Sequence, residues 1–296
     1  MHADDVRLTT ALATRLVDTQ MPRFAGRPVR PLSALGTDNW LFRLGPSHVL
    51  RFPRRASAVR LLERELACLP RFPGLPLAIP RPVATGDAGE GYPWPWAVYD
   101  WIEGTQATPA SLRDPQEVAG ELAGFLRAFQ ALPGLDGPIA GSTNHLRGVP
   151  LERLDDRVCA AISGLSDLYD AADLRDRWDA ARDSPPWDKA PVWIHGDLQP
   201  GNLLLRDGRL AAVIDFGLMA RGDPAVDLIP AWALFDAAGR AAFLDAMSPD
   251  PATIRRGRGW ALYAGLVALD YYRHSHVPLA RASRRTIEQV LGDTAG

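Results

Sequence analysis

The stretch VWIHGDLQPGNLLLRDGRLAAVIDFG, residues 192–217, decides how the chain is read. Asp197, Asn202 and Asp215 interrupt a run that otherwise has the composition of a core. Burying such groups without partners costs roughly 2–7 kcal/mol for an amide and more for a carboxylate, so something must engage them. Asp207-Gly208 between two apolar segments is the signature of a two-residue hairpin turn. Counting back from that turn sets Leu205 opposite Leu210 and Asn202 opposite Val213, and alternation puts Asp215 on the same face. Asn202 and Asp215 are then diagonal neighbours, roughly 7–8 Å apart at the backbone. An amide oxygen and a carboxylate at that spacing can close on one Mg²⁺, which takes oxygen ligands at about 2.0–2.1 Å. Asp197, on the loop entering the hairpin, stands beside that metal without having to bind it. A phosphoryl-transfer enzyme needs a carboxylate there to accept the proton of an attacking hydroxyl.

The order HGDLQPGN then IDFG repeats the kinase spacing, an Asp and an Asn separated by four residues and followed by Asp-Phe-Gly. With VIDFG and GDPAVDL (222–228), the chain resembles the aminoglycoside phosphotransferase family over nearly its full length, from the first hairpin to YYRHS (271–275). The resemblance implies an α+β, protein-kinase-like bilobal fold, with a small antiparallel-sheet N-lobe (1–103) and a mainly helical C-lobe (104–296). It implies ATP or GTP as phosphoryl donor, Mg²⁺ on Asn202 and Asp215, and Asp197 as the catalytic residue. His195 is read as a structural hydrogen-bonder, and Asp223 and Asp227 as scaffold acids. On the nucleotide side, Thr37 and Asn39 in GTDNWLF are the candidate phosphate donors, in the absence of a glycine-rich G-x-G-x-x-G. Arg51 in VLRFP stands where the family's strand lysine is expected; its fork pairs phosphate differently from an ammonium. Its helix partner is expected to be Glu65, with Glu63 a competitor on another face. Asp100, Trp101 and Ile102 in VYDWIEG resemble the segment whose main chain holds the purine edge, and Trp101 reads equally as packing.

Outward from these motifs, the first hundred residues read mostly as strands and turns. SALGTDNWLFRLG and SHVLRFP give short strands, AVRLLERELACLPRF a helix with Val59, Leu62, Leu66 and Leu69 as its stripe, and WAVYDWIEG a strand reaching Gly104. Beyond a boundary near 103–110 helix dominates. Asp114-Pro115 reads as a cap and first turn, and WALFDAAGRAAFLDAM, GRGWALYAGLVALDYYRHS and ASRRTIEQVL all fit helices. The 33 basic and 35 acidic residues, with 47% apolar, describe a soluble globular chain without the charge excess of a nucleic-acid binder. Asp4 and Asp5 occupy the place of a signal peptide's basic residues, and the longest apolar run, Trp260–Leu269, is too short to span a bilayer. Cys68 and Cys159 read as isolated thiols of a reducing cytoplasm.

Only FGLMARG separates Asp215 from Asp223, with no Ser, Thr or Tyr. A protein kinase needs a longer segment there, so the acceptor is expected to be a small molecule. Residues 152–188 carry ten acids against five arginines. The resemblance sets these residues beside the acceptor, where Asp167 and Asp170, three apart on one helix, would bind ammonium groups of an aminoglycoside-like substrate. A solvated helix face is the competing reading. The alternatives are a kinase of an endogenous alcohol, sugar or amino-alcohol, a macrolide kinase, or a nucleotide-binding pseudokinase. Intact Asp197, Asn202 and Asp215 speak against the last, and Arg51 is the one feature in its favour.

Overall fold

The computed structural model describes residues 6–32, 38–132 and 136–293. They fall into two compact units divided between Glu103 and Gly104, with Val213–Gly217 grouped with the first unit and Leu75–Leu77 with the second.

The first unit comprises α1 (Thr10–Gln20), β1 (Val29–Pro31), β2 (Asn39–Leu44), β3 (His48–Pro53), α2 (Ala56–Cys68), β4 (Pro82–Gly86) and β5 (Trp96–Asp100). The strands form one antiparallel sheet in the order β1-β2-β3-β5-β4. β2 and β3 are the anticipated hairpin, with Leu41 opposite Arg51. Phe52 stacks on Trp96 at 4.7 Å and meets Tyr92 edge-on at 5.3 Å, and both aromatics are buried with Leu50 and Val98. Each such side chain contributes about 1.5–3 kcal/mol of burial. Helix α1 escaped the sequence reading. Thr9 caps it by accepting from Leu12 N at 3.2 Å, and Ala13, Leu16 and Val17 join the core. The strand expected to reach Gly104 ends at Asp100.

The α2 stripe also differs from expectation. Its buried residues are Ala58, Leu61, Leu62, Arg64, Glu65 and Cys68, whereas Val59 and Leu66 are half-exposed. Two charged side chains turn inward because each has a partner. Glu65 meets Arg51, and Arg64 donates to Gly217 O at 3.4 Å.

The second unit begins with β6 (Thr105–Gln106), α3 (Pro115–Gln130), α4 (Asp155–Gly164) and α5 (Ala171–Arg182). It continues through β7 (Val192–Ile194), β8 (Leu203–Arg206), β9 (Arg209–Val213) and β10 (Ala220–Gly222). It closes with α6 (Pro230–Ala233), α7 (Ala237–Met247), α8 (Pro251–Tyr272) and α9 (Val277–Leu291). Asp114 caps α3, accepting from Gln116 N and Glu117 N, with Pro115 in the first turn. Trp178, Trp193, Trp260, Phe125 and Phe129 lie in the interior. β8 and β9 flank the two-residue turn Asp207-Gly208, both at positive φ (54° and 77°), as a primed turn requires. No helix among the described residues is long and apolar enough to cross a membrane.

Candidate active site

Asp197 follows β7, which pairs antiparallel with β10, Ile194 opposite Ala220. The loop is fixed from behind by Asp227, fully buried, whose carboxylate accepts from His195 N at 2.7 Å and Gly196 N at 2.9 Å. Burial pushes that carboxyl upward, and His195 and the two backbone donors pull it back. Gly196 turns the chain at φ +79°, where a Cβ would stand 2.7 Å from Leu218 O. The buried His195 ring then accepts from Asp197 N through Nδ1 at 3.2 Å. Asn202 closes the short turn Pro200–Asn202, and its Nδ2 donates to Asp197 O at 2.8 Å and to Asp197 Oδ2 at 3.3 Å. Asn202 is therefore aimed by this turn rather than by the strand alternation inferred from sequence. Asp223 caps the next turn through Ala225 N at 3.0 Å and forms a buried pair with Arg256 at 2.7 Å.

Within the first unit, β3, α2, β5 and the Asp-Phe-Gly segment bring four side chains together. Arg51 Nη1 donates to both Glu65 oxygens, at 2.7 and 3.0 Å, and its Nη2 donates to Asp215 Oδ1 at 2.8 Å. Tyr99 Oη donates to Glu65 Oε2 at 2.9 Å. Burial alone would lower the Arg51 guanidinium's pKa. The carboxylates of Glu65 and Asp215 overcome that and hold it well above the ordinary arginine value. Burial pushes the Glu65 carboxyl up, while Arg51 and the Tyr99 hydroxyl pull it down. Glu63, the competitor, is exposed. Asp215 adopts φ +65°, an unusual conformation for a residue with a side chain, and 43% of its side chain is exposed.

The remaining expected residues fare unevenly. Thr37 and Gly36 lie outside the described residues. Asn39 opens β2, and its buried Oδ1 has no hydrogen-bond partner among the described residues. Asp100 N is spent on Arg81 O at 3.0 Å and Trp101 N on Ser47 O at 2.8 Å, so neither N–H is left for a purine edge. Ile102 N–H has no partner among the described residues. The Trp101 ring lies under the Arg43 guanidinium, 3.8 Å from its centroid. Asp167 and Asp170 do not share a helix. α4 ends at Gly164, Asp167 sits in the following turn paired with Arg273 at 2.7 Å, and Asp170 caps α5 through Ala172 N. The surrounding acids are largely spent internally. Asp155 and Asp179 pair with Arg182 and Arg175, Asp183 with Arg182, and Asp173 with Arg177.

One charged neighbour of Asp197 was missed altogether. Arg147 Nη2 lies 3.8 Å from Asp197 Oδ1. Its signal in sequence, NHLRG (144–148), has no regular periodicity and reads as plain loop.

For a metal, Asn202 and Asp215 offer only oxygen donors, the chemistry Mg²⁺ takes. The Asn202 nitrogen is committed to Asp197, so its oxygen is the atom left to ligate. Among the described residues no group of three or more His, Cys, Asp or Glu gathers as a metal cluster. A Mg²⁺ shared with nucleotide phosphates needs only one or two carboxylates, and each of the two residues, taken by itself, has the donor chemistry for it.

Among solved structures, the chain is similar to the GDP complex of wild-type aminoglycoside 2'-phosphotransferase-IIIa. The TM-score is 0.71 at 22% identity, covering 96% of this chain and 99% of that one. It is also similar to the streptomycin–ATP–APH(2")-IIa ternary complex, with a TM-score of 0.63 at 19% identity over 96% and 97% of the two chains. Macrolide 2'-phosphotransferase MphH from Brachybacterium faecium gives a TM-score of 0.58 at 20% identity over 96% and 98%. These likenesses establish the protein-kinase-like α+β fold. No curated protein sequence matches the chain. The model of the phosphotransferase enzyme family matches residues 29–266, most of the length, and with the Asp197–Asn202 and Asp-Phe-Gly geometry above it places the chain in that family.

Proposed function

We propose that the protein moves the γ-phosphoryl group of ATP or GTP to a hydroxyl of a small molecule, with an aminoglycoside-like compound as the leading acceptor. The observation that carries this reading is the Asn202–Asp197 pair, which orients a part-exposed carboxylate at the end of a loop fixed by Asp227. The nucleotides and antibiotics named for the solved relatives support a nucleotide donor and a small acceptor.

Asp197 accepts a hydrogen bond from the acceptor hydroxyl and directs the oxygen lone pair at the γ-phosphorus. As the new O–P bond forms, the hydroxyl proton passes to Asp197. The bond from the γ-phosphorus to the β–γ bridging oxygen breaks, and the nucleoside diphosphate leaves with its electron pair. Asn202 and Asp215 are the residues that would hold Mg²⁺, which would supply dispersal of the negative charge of the phosphates. Arg51 holds Asp215 in its strained conformation and offers the phosphates a cation.

A second reading, an uncharged sugar or alcohol or a macrolide as acceptor, is favoured by Arg147 beside Asp197 and by the internal pairing of the acids on α4 and α5. The experiment is calorimetric nucleotide binding beside turnover on a panel of aminoglycosides, macrolides and simple alcohols. Asp197→Ala should keep Mg-nucleotide affinity and lose about 10²–10⁴-fold in turnover. Asp215→Ala should lose the metal-dependent part of binding. If wild-type protein neither binds Mg-nucleotide nor consumes it, the reading fails.

A further inference from the structure

Arg147 stands in the segment 141–148, which has no regular structure beyond the short turn Ser142–Asn144. The segment is stapled by Asn144, fully buried. Its Oδ1 accepts from Gly141 N at 2.9 Å, and its Nδ2 donates to Arg147 O at 2.9 Å and to Leu218 O at 3.2 Å. His145 and Leu146 follow at φ +54° and +63°, and Gly148 at +75°. Two consecutive side chains in the left-handed region are unfavourable and persist only where the surroundings over-determine them. The consequence of this backbone is the aim of Arg147. Its Cβ packs so close to Gly196 that a Cβ there would lie 3.2 Å away, and its guanidinium lies 5.4 Å from the Tyr263 ring centroid. Tyr263 is itself held by Arg157 Nη1 at 3.4 Å.

The fork so placed is underused. Arg147 Nε and Nη1 are buried and have no hydrogen-bond partner among the described residues, and at 3.8 Å Nη2 is too far from Asp197 for a hydrogen bond. Buried donors without acceptors are unfavourable, doubly so on a cation. Asp197 alone does not satisfy a planar group built for two oxygens side by side. We propose that Arg147 is a further substrate-contacting residue, whose guanidinium binds an anionic oxygen of the reacting species beside Asp197. That oxygen belongs either to the phosphoryl group in transfer or to a carboxylate or phosphate carried by the acceptor. In the first case the bound phosphoryl group neutralises the guanidinium and an aminoglycoside-like acceptor stays compatible with the base; in the second the acceptor itself is anionic. The inference rests on the phosphotransferase reading and deepens it.

The test compares the full chain with Arg147→Gln and Arg147→Lys. Inorganic phosphate is titrated in and read as a rise in the unfolding midpoint. Wild type should respond, Arg147→Lys partly, and Arg147→Gln not at all, with circular dichroism reporting that each variant is folded. Two further arms separate the sources. A fall of about 10²-fold in Mg-nucleotide hydrolysis at unchanged nucleotide affinity assigns the donor phosphoryl group. Unchanged hydrolysis with at least about a tenfold loss in kcat/KM confined to anionic acceptors assigns the acceptor. The proposal is overturned if phosphate leaves wild type unmoved or moves Arg147→Gln equally, or if neither arm responds. Absence of Mg-nucleotide binding in wild type would instead sink the phosphotransferase reading, and the phosphate titration would still judge Arg147.

Discussion

At the scale of single residues, the clearest energetic statement concerns Arg51. Glu65 is wholly buried, and its charge is compensated by the Arg51 fork and the Tyr99 hydroxyl. Arg51→Met leaves that carboxylate without its cation, which should cost about 3–5 kcal/mol in urea unfolding. Arg51→Met combined with Glu65→Leu should recover most of the loss, because an apolar pair of similar volume removes the stranded charge. A double variant as unstable as the single one would mean that Arg51 stabilises by packing, not by pairing. Arg51→Lys tests a separate property. A single ammonium cannot reproduce one planar arm on each carboxylate, so the variant should stay folded while the exposed Asp215 is held less firmly. The sequence exposed these positions only as a substitution at an expected lysine; that one arginine engages both acids depends on β3, α2 and the Asp-Phe-Gly segment meeting.

At the scale of elements, the turn Ile194–Asp197 converts a strand into the loop that carries Asp197, and Gly196 makes that possible. Its φ of +79° is strained for any other residue, and a methyl would meet Leu218 O at 2.7 Å and Arg147 Cβ at 3.2 Å. Gly196→Ala should therefore destabilise by more than about 1 kcal/mol. It should also lower turnover beyond that loss, since the shift propagates to Asp197 and Arg147; unfolding and kinetics on one preparation check both. Elements with a local code were legible in advance. The Asp207-Gly208 turn, the Asp114-Pro115 cap and the strands carrying Trp40 and Phe52 follow from propensity and spacing. What escaped has no local code. α1 begins at a threonine cap in a stretch to which the sequence reading assigned no element, α2 turns two charges inward, and Asp167 and Asp170 fall to either side of a helix break. Arg147 is the extreme case, because its position depends on Asn144 reaching Leu218 across 74 residues.

At the scale of the whole molecule, 33 basic and 35 acidic residues nearly cancel at neutral pH, and acid unmasks the positive side. The carboxyls of Asp155, Asp250 and Asp293 are each held below the usual range. Asp155 owes this to the Trp178 indole N–H at 2.8 Å and to Arg182 at 3.0 Å. For Asp250 and Asp293 burial opposes the shift and is outweighed, by Thr253 at the start of α8 and by Trp232 with Arg258 at the chain's end. An acid whose folded value is depressed stabilises fully above its unfolded value, about 3.9, and loses that contribution as pH falls through the folded value. Glu65 and Asp227, pushed upward by burial, act with the opposite sign, so the total acid profile cannot be assigned to one group. A difference between wild type and Asp155→Asn can. The variant should be less stable by about 1 kcal/mol at pH 7, modest because Asp155 is partly exposed. The gap should stay constant down to about pH 4 and close below it as the wild-type carboxyl takes up its proton. Unfolding midpoints of both proteins from pH 7 to pH 3 measure this. A gap that persists at pH 3 would mean that Asp155 ties α4 to α5 through shape and neutral hydrogen bonds rather than through its charge.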